Sequence, residues 1–155
     1  MRRAAEGVFD LPDAKATTRL GAALARALRP GEAICLTGPL GAGKSVLARG
    51  AILELSPGER EAPSPTFTLV QSYPNPRLPL SHLDLYRLAS ADEAYELGLE
   101  DALREGAVVI EWAERLGADL PTDRIEVVIA HTAEADARRA TLTGHGAWKG
   151  RDLDL

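Results

Sequence analysis

Gly38-Pro39-Leu40-Gly41-Ala42-Gly43-Lys44-Ser45 is the stretch that decides how this chain folds. Two glycines with four residues between them, followed by a lysine and a hydroxyl residue, form the phosphate-loop pattern. Gly38, Gly41 and Gly43 tolerate positive φ, so the backbone N–H groups of the turn, through Leu40 and Ala42 as far as Val46, can close round a phosphate with no Cβ in the way. Lys44 can carry a mobile point charge to β- and γ-phosphate oxygens, and the Ser45 hydroxyl can sit on Mg2+. The flanks agree with this reading. Ala33-Ile34-Cys35-Leu36-Thr37 reads as a buried strand entering the loop. Residues 46–55 read as a helix leaving it, with Leu47, Ala51 and Leu55 at helical spacing. A phosphate would rest on the amino end of that helix, where free N–H groups and the macrodipole favour an anion.

The 155 residues fit a single domain spanning 1–155, long enough for a real core. Hydrophobic residues make up 45% and charged residues 26%, ordinary for a soluble globular protein. No apolar run approaches the ~20 residues of a membrane span. The basic start is followed by a stretch broken by Asp10, Pro12 and Asp13, which is not a signal peptide. The expectation is a cytoplasmic protein with no membrane contact. Cys35 is the only cysteine, which excludes a disulfide framework and a thiolate metal cluster; inside a strand it reads as a packing residue.

A net charge of −5 argues against unaided, tight binding to nucleic acid. The charge is unevenly spread. Residues 1–30 carry a net +3 and residues 92–119 a net −7. Two solvated faces account for this; a dipolar surface that orients a partner is the sharper reading.

Along the chain, residues 8–11 read as a short strand, and Asp13 as the N-cap of a helix over residues 14–28. Leu20, Leu24, Ala27 and Leu28 form its apolar stripe, and Pro30-Gly31 stops it. After a turn-rich loop, Phe67, Leu69 and Gln71 alternate with Thr66, Thr68 and Val70 as a strand. Residues 74–77 turn it back into an antiparallel partner over residues 78–84. Residues 86–103 read as helical in two pieces broken near Gly98. Ala107-Val108-Val109-Ile110 is a continuous apolar run, as expected of a central strand covered on both faces. Residues 125–129 and 139–143 form two late strands. The fold class expected is α/β, a three-layer P-loop NTPase sandwich with a mixed, largely parallel central sheet and antiparallel strands.

Hydrolysis or transfer needs Mg2+ and a group that places the nucleophile. In such folds carboxylates that serve these purposes leave the carboxyl ends of strands. Glu111 follows the apolar run directly and can meet Mg2+ from there. Asp84 sits in His82-Leu83-Asp84-Leu85-Tyr86-Arg87, with a helix cap as its alternative role. His82 and His131 lack the spacing of a zinc site. Trp112 can stack on a base or partner, or simply be tucked in. Thr66, in a Pro-bounded turn, is a candidate to sense a γ-phosphate as switch segments do.

Taken in order, the phosphate loop and Arg49-Gly50, then Ser64-Pro65-Thr66-Phe67-Thr68-Leu69-Val70, then His82-Leu83-Asp84-Leu85-Tyr86-Arg87, Glu96-Leu97-Gly98, Glu111-Trp112 and Glu114-Arg115-Leu116 resemble the TsaE (YjeE) family of bacterial ATPases. The resemblance runs from about Leu11 to Arg139. It implies a small ATPase that joins TsaB and the catalytic subunit TsaD in forming threonylcarbamoyladenosine beside the anticodon of transfer RNA. Hydrolysis of ATP would support repeated turnover, with transfer RNA met only indirectly. By position, the resemblance gives phosphate binding to Lys44 and the loop amides, Mg2+ to Ser45 and Glu111, and hydrolysis to Asp84. It makes Thr66 part of a switch-like segment and sets Trp112 beside the site. Pro39, Ser45, Phe67 and Ala113 depart from the family's usual acidic residue, Thr, Tyr and Pro. Two rival readings of the same residues are a small metabolite or nucleoside kinase and a nucleotide-sensing adaptor without turnover.

Overall fold

The computed structural model describes residues 1–58 and 69–155. The loop glycines direct the first half of the chain. Strand β1 (Arg2–Ala4) and β2 (Gly7–Leu11) lead to helix α1 (Ala14–Ala27), β3 (Ala33–Thr37) and α2 (Lys44–Leu55). The Asp13 carboxylate caps α1 by accepting from Ala16 N at 2.8 Å. This helix ends one residue before the expected 28. Leu28 is already extended (φ −73°, ψ 139°), two residues ahead of the proline. Helix α2 begins at Lys44, two residues earlier than expected, because Gly43 takes the left-handed conformation (φ 111°) that turns the loop straight into the helix.

Beyond the loop lie β4 (Val70–Tyr73) and β5 (Leu80–Asp84), then α3 (Ala91–Glu96), α4 (Leu99–Glu105) and β6 (Ala107–Glu111). A kinked 3₁₀ segment (Ala113–Asp119) leads to β7 (Arg124–His131) and β8 (Arg138–His145). A 3₁₀ turn (Gly146–Trp148) and β9 (Asp152–Asp154) follow. The expected alternation from Phe67 starts in residues outside the description, as does Thr66; the described strand begins at Val70, after Leu69 at φ 63°. Residues 86–90 are not helical as expected. The Asp84 carboxylate accepts from Tyr86 N at 3.1 Å and Leu88 N donates to Leu85 O, so the chain turns before Ser90 opens α3. The break near Gly98 is present: at φ 96° it separates α3 from α4.

Seven strands form one sheet in the order β2-β8-β7-β3-β6-β5-β4. Its four central strands, β7, β3, β6 and β5, run parallel, and β2, β8 and β4 pair antiparallel at the flanks. Two-residue alternation divides the core. Ile34, Leu36 and Val109 pack on the side of α1 and α2, whereas Ala33, Cys35, Val108 and Ile110 pack on the side of α3, α4 and Leu116. Helices thus cover both faces, which explains why β3 and β6 read as unbroken apolar runs. Burial pushes the Cys35 thiol up to about 12, in keeping with a packing role.

The tail beyond residue 140, which the sequence left without a role, completes the first core. Trp148 and Leu153 are wholly buried and β9 pairs with β1. The Arg151 guanidinium holds the Glu32 carboxylate through two bonds of 2.6 and 2.9 Å and lies over the Trp148 ring.

Helices α1 and α2 touch through glycine. A Cβ on Gly50 would come 2.4 Å from Thr18 O, and one on Gly21 would come 2.1 Å from Leu47 O. Because the obstacle is backbone in both cases, Gly50→Ala is expected to cost about 1–3 kcal/mol through forced separation of the helices. Thermal unfolding checks this; a melting temperature equal to that of the parent protein would contradict the close approach.

Candidate functional site

The parallel register sets the site. Asp84 and Glu111 are paired residues at the carboxyl ends of β5 and β6, and Leu36 of β3 pairs with Glu111 on its other side. The loop leaves β3 just beyond. Strand alternation turns Asp84 and Glu111 to the face that α2 covers, so both carboxylates meet the amino end of that helix. A cleft of about 430 Å³ results, with Leu40, Gly41, Gly43, Lys44, Ser45 and Val46 on one wall and Asp84, Tyr86, Arg87, Glu111 and Trp112 on the other.

Within it, Ser45 Oγ donates to Glu111 Oε1 at 2.8 Å. Lys44 Nζ donates to Gly38 O at 2.5 Å and Pro39 O at 2.8 Å, and stands 4.2 Å above the Trp112 ring. The Tyr86 ring packs against Trp112 at a tilt of 44°, centroid to centroid 4.9 Å. Burial pulls the Lys44 ammonium below its usual range, opposed by Glu111, Glu114 and Asp84. Burial likewise raises Asp84; the negative charge of Glu111 adds to the rise, and the Tyr86 N–H opposes it. A carboxylate raised and an ammonium lowered at one cleft is the pattern expected where charge is stored for chemistry.

The remaining loop residues support the wall. Gly38 (φ 139°) lies so close to β7 that a Cβ would come 2.3 Å from Ile129 O. Ala42 is buried, its N–H on Pro39 O. Arg138, at the start of β8, donates to Ala42 O at 3.1 Å and Gly41 O at 3.3 Å, tying the loop to that strand.

Ser45 Oγ and Glu111 Oε1 offer two hard oxygen donors on adjoining elements, the donor type Mg2+ prefers. Among the described residues no group of three His, Cys, Asp or Glu side chains could hold a metal by itself. That donor set suits an ion that shares its coordination with phosphate oxygens and water rather than one caged by protein.

The sequence model of the family described as "Threonylcarbamoyl adenosine biosynthesis protein TsaE" matches residues 11–140. The chain belongs to the TsaE family. Among relatives, a tRNA threonylcarbamoyladenosine biosynthesis protein TsaE from Rickettsia bellii is 42% identical over 111 residues, 72% of this chain and 77% of that protein. Its counterpart in Bacillus subtilis is 37% identical over 135 residues, covering 86% and 81%. The crystal structure of Bacillus subtilis YdiB superposes with a TM-score of 0.73 at 27% identity, over 94% of this chain and 87% of that one.

In this TsaE-family chain the fold brings most of the residues singled out from sequence into one cleft; Gly38 and Ala42 support the loop from behind it. Lys44, Ser45, Asp84, Glu111 and Trp112 meet in one cleft, while Thr66 lies outside the described residues. The sequence reading weighed His82 only as a zinc ligand and did not place Arg138 at the loop, yet His82 touches Glu111 and Arg138 touches the loop carbonyls. The signal for His82 was present: two residues before Asp84 on a strand, it shares that residue's face. Arg138 carries no such signal, because only the sheet order brings β8 near the loop. Among the described residues no helix is long and apolar enough to cross a membrane.

Proposed function

We propose that this chain is a Mg2+-dependent ATPase that serves TsaB- and TsaD-type proteins in the threonylcarbamoyladenosine modification of transfer RNA in the cytoplasm. The observation that carries the reading is the Ser45–Glu111 contact at the foot of the phosphate loop, with Lys44 and Asp84 in the same cleft.

The loop amides and Lys44 bind the phosphates; Ser45 and Glu111 would hold Mg2+. An ion held by these two residues would supply charge neutralisation to the bound phosphates. Asp84, raised in pKa and fixed by the Tyr86 N–H, orients the attacking water through its second oxygen and takes up its proton. Trp112 and Tyr86 wall the cleft and limit water beside Lys44. Thr66 extends this reading as a switch-segment residue. The acidic stretch over residues 92–119, on the face away from α1 and α2, suits docking on protein rather than on transfer RNA.

Phosphate release measured alone, with small hydroxyl acceptors, and with TsaB- and TsaD-type proteins tests the proposal. Slow release that rises at least tenfold with the protein pair is the expected result, since switch-type P-loop proteins hydrolyse slowly unaided. A phosphorylated small acceptor would make the chain a kinase. Tight ATP binding with no release in any mixture would make it an adaptor.

A further inference from the structure

We infer that His82 is a positioning residue that fixes the Glu111 carboxylate in the orientation facing Ser45. His82 Nε2 stands 2.6 Å from Glu111 Oε2, and the two residues are 1% and 2% exposed. Glu111 Oε1 accepts from Ser45 Oγ at 2.8 Å. The carboxylate is therefore gripped at both oxygens by side chains from two different elements, β5 and α2. Since a carboxylate only accepts, Nε2 carries the hydrogen and donates it.

The remaining ring nitrogen sharpens the argument. His82 Nδ1 is buried with no partner among the described residues. An unsatisfied buried nitrogen costs free energy, so packing alone does not account for an imidazole here; leucine would fill the space at lower cost. What leucine lacks is the Nε2 donor. A glutamate has three side-chain torsions, and without that donor its Oε2 would be a buried charged oxygen with one fewer partner and freedom to rotate from Ser45. Hydrogen-bonded supports of metal-binding carboxylates govern metal affinity in this manner.

The inference rests on the reading of Glu111 as a magnesium ligand, and the experiment separates the two. Affinity for a non-hydrolysable fluorescent ATP analogue is measured with Mg2+ and with EDTA, in the parent protein and in His82→Leu, His82→Gln and Glu111→Gln. The readout is the gain in affinity that Mg2+ provides. His82→Leu is expected to lose about tenfold of that gain while its affinity in EDTA stays at the parent value. Glutamine Nε2 can reach the position of imidazole Nε2, so His82→Gln should recover most of the loss. A full gain in His82→Leu alongside a lost gain in Glu111→Gln would overturn the role of His82 alone. An undiminished gain in Glu111→Gln would overturn the ligand reading and this inference with it. Equal losses in His82→Leu and His82→Gln that persist in EDTA would mark a packing residue and overturn the inference.

Discussion

Lys44→Ala is expected to weaken ATP binding by roughly 100-fold or more, because each hydrogen bond to a charged group contributes about 1.5–3 kcal/mol and the ammonium can make two to the phosphates. The side chain already grips Gly38 O and Pro39 O at the start of the loop, so its charge is held within the wall of the cleft. Its neighbours Asp84 and Glu111 are both acidic and both line the same space. Without the lysine they face the incoming triphosphate with less positive charge beside them, and like charges at close range repel. Lys44→Arg should not rescue the loss. A planar guanidinium cannot replace a compact ammonium between two carbonyls and an aromatic ring. Equilibrium titration with a fluorescent ATP analogue measures both variants. Binding within threefold of the parent protein in Lys44→Ala would remove this residue from the phosphate site.

Asp84→Asn should bind ATP within about threefold of the parent protein yet release phosphate roughly 100-fold more slowly, the scale of a lost general base. The substitution is mild in shape, since asparagine Oδ1 can still accept from Tyr86 N and preserve the turn after β5. Only the charge and the proton-accepting capacity go. Stability should move the other way. Folding raises the Asp84 pKa above its unfolded value of 3.8, so the folded state holds that proton more tightly. The group therefore costs stability once pH rises through its folded pKa, and costs nothing below the unfolded one. Asp84→Asn should melt a few degrees higher at pH 7.5, and the difference should vanish below about pH 4. The gain is on the order of 1 kcal/mol or less, because the side chain is half-buried and screened. A variant that turns over normally would contradict the role given to Asp84. One that turns over slowly but melts lower would contradict the electrostatic account.

The parts of the fold that were legible in the sequence are those governed by local rules. Unbroken apolar runs at Ile34 and Val109 announce strands covered on both sides, and the loop glycines announce the turn between β3 and α2. Asp13 marks the start of α1 through its own side chain. Asp84 shows where such reasoning runs short. Its pattern allowed a helix cap, but the carboxylate folds onto Tyr86 N and delays the helix to Ala91. The late strands were visible, yet their destination was not: β7 lies directly beside β3 in parallel, a pairing made across most of the chain. For the site the same division holds. Lys44 and Ser45 follow from the motif, and Glu111 from its strand. Their meeting, and the approach of Arg138 to the loop, come from register and sheet order, which no spacing in the sequence encodes.

The glycine contact between α1 and α2 has a bearing on movement. With Gly21 and Gly50 seated on the opposing backbones, the two helices have no room to slide past each other at these points. Lys44 and Ser45 ride on the first turn of α2, so that bank of the cleft is anchored to a pair of locked cylinders. Among the described residues, movement of the cleft is then easier at the opposite bank, where residues 85–90 are irregular and Trp112 sits in a left-handed bend.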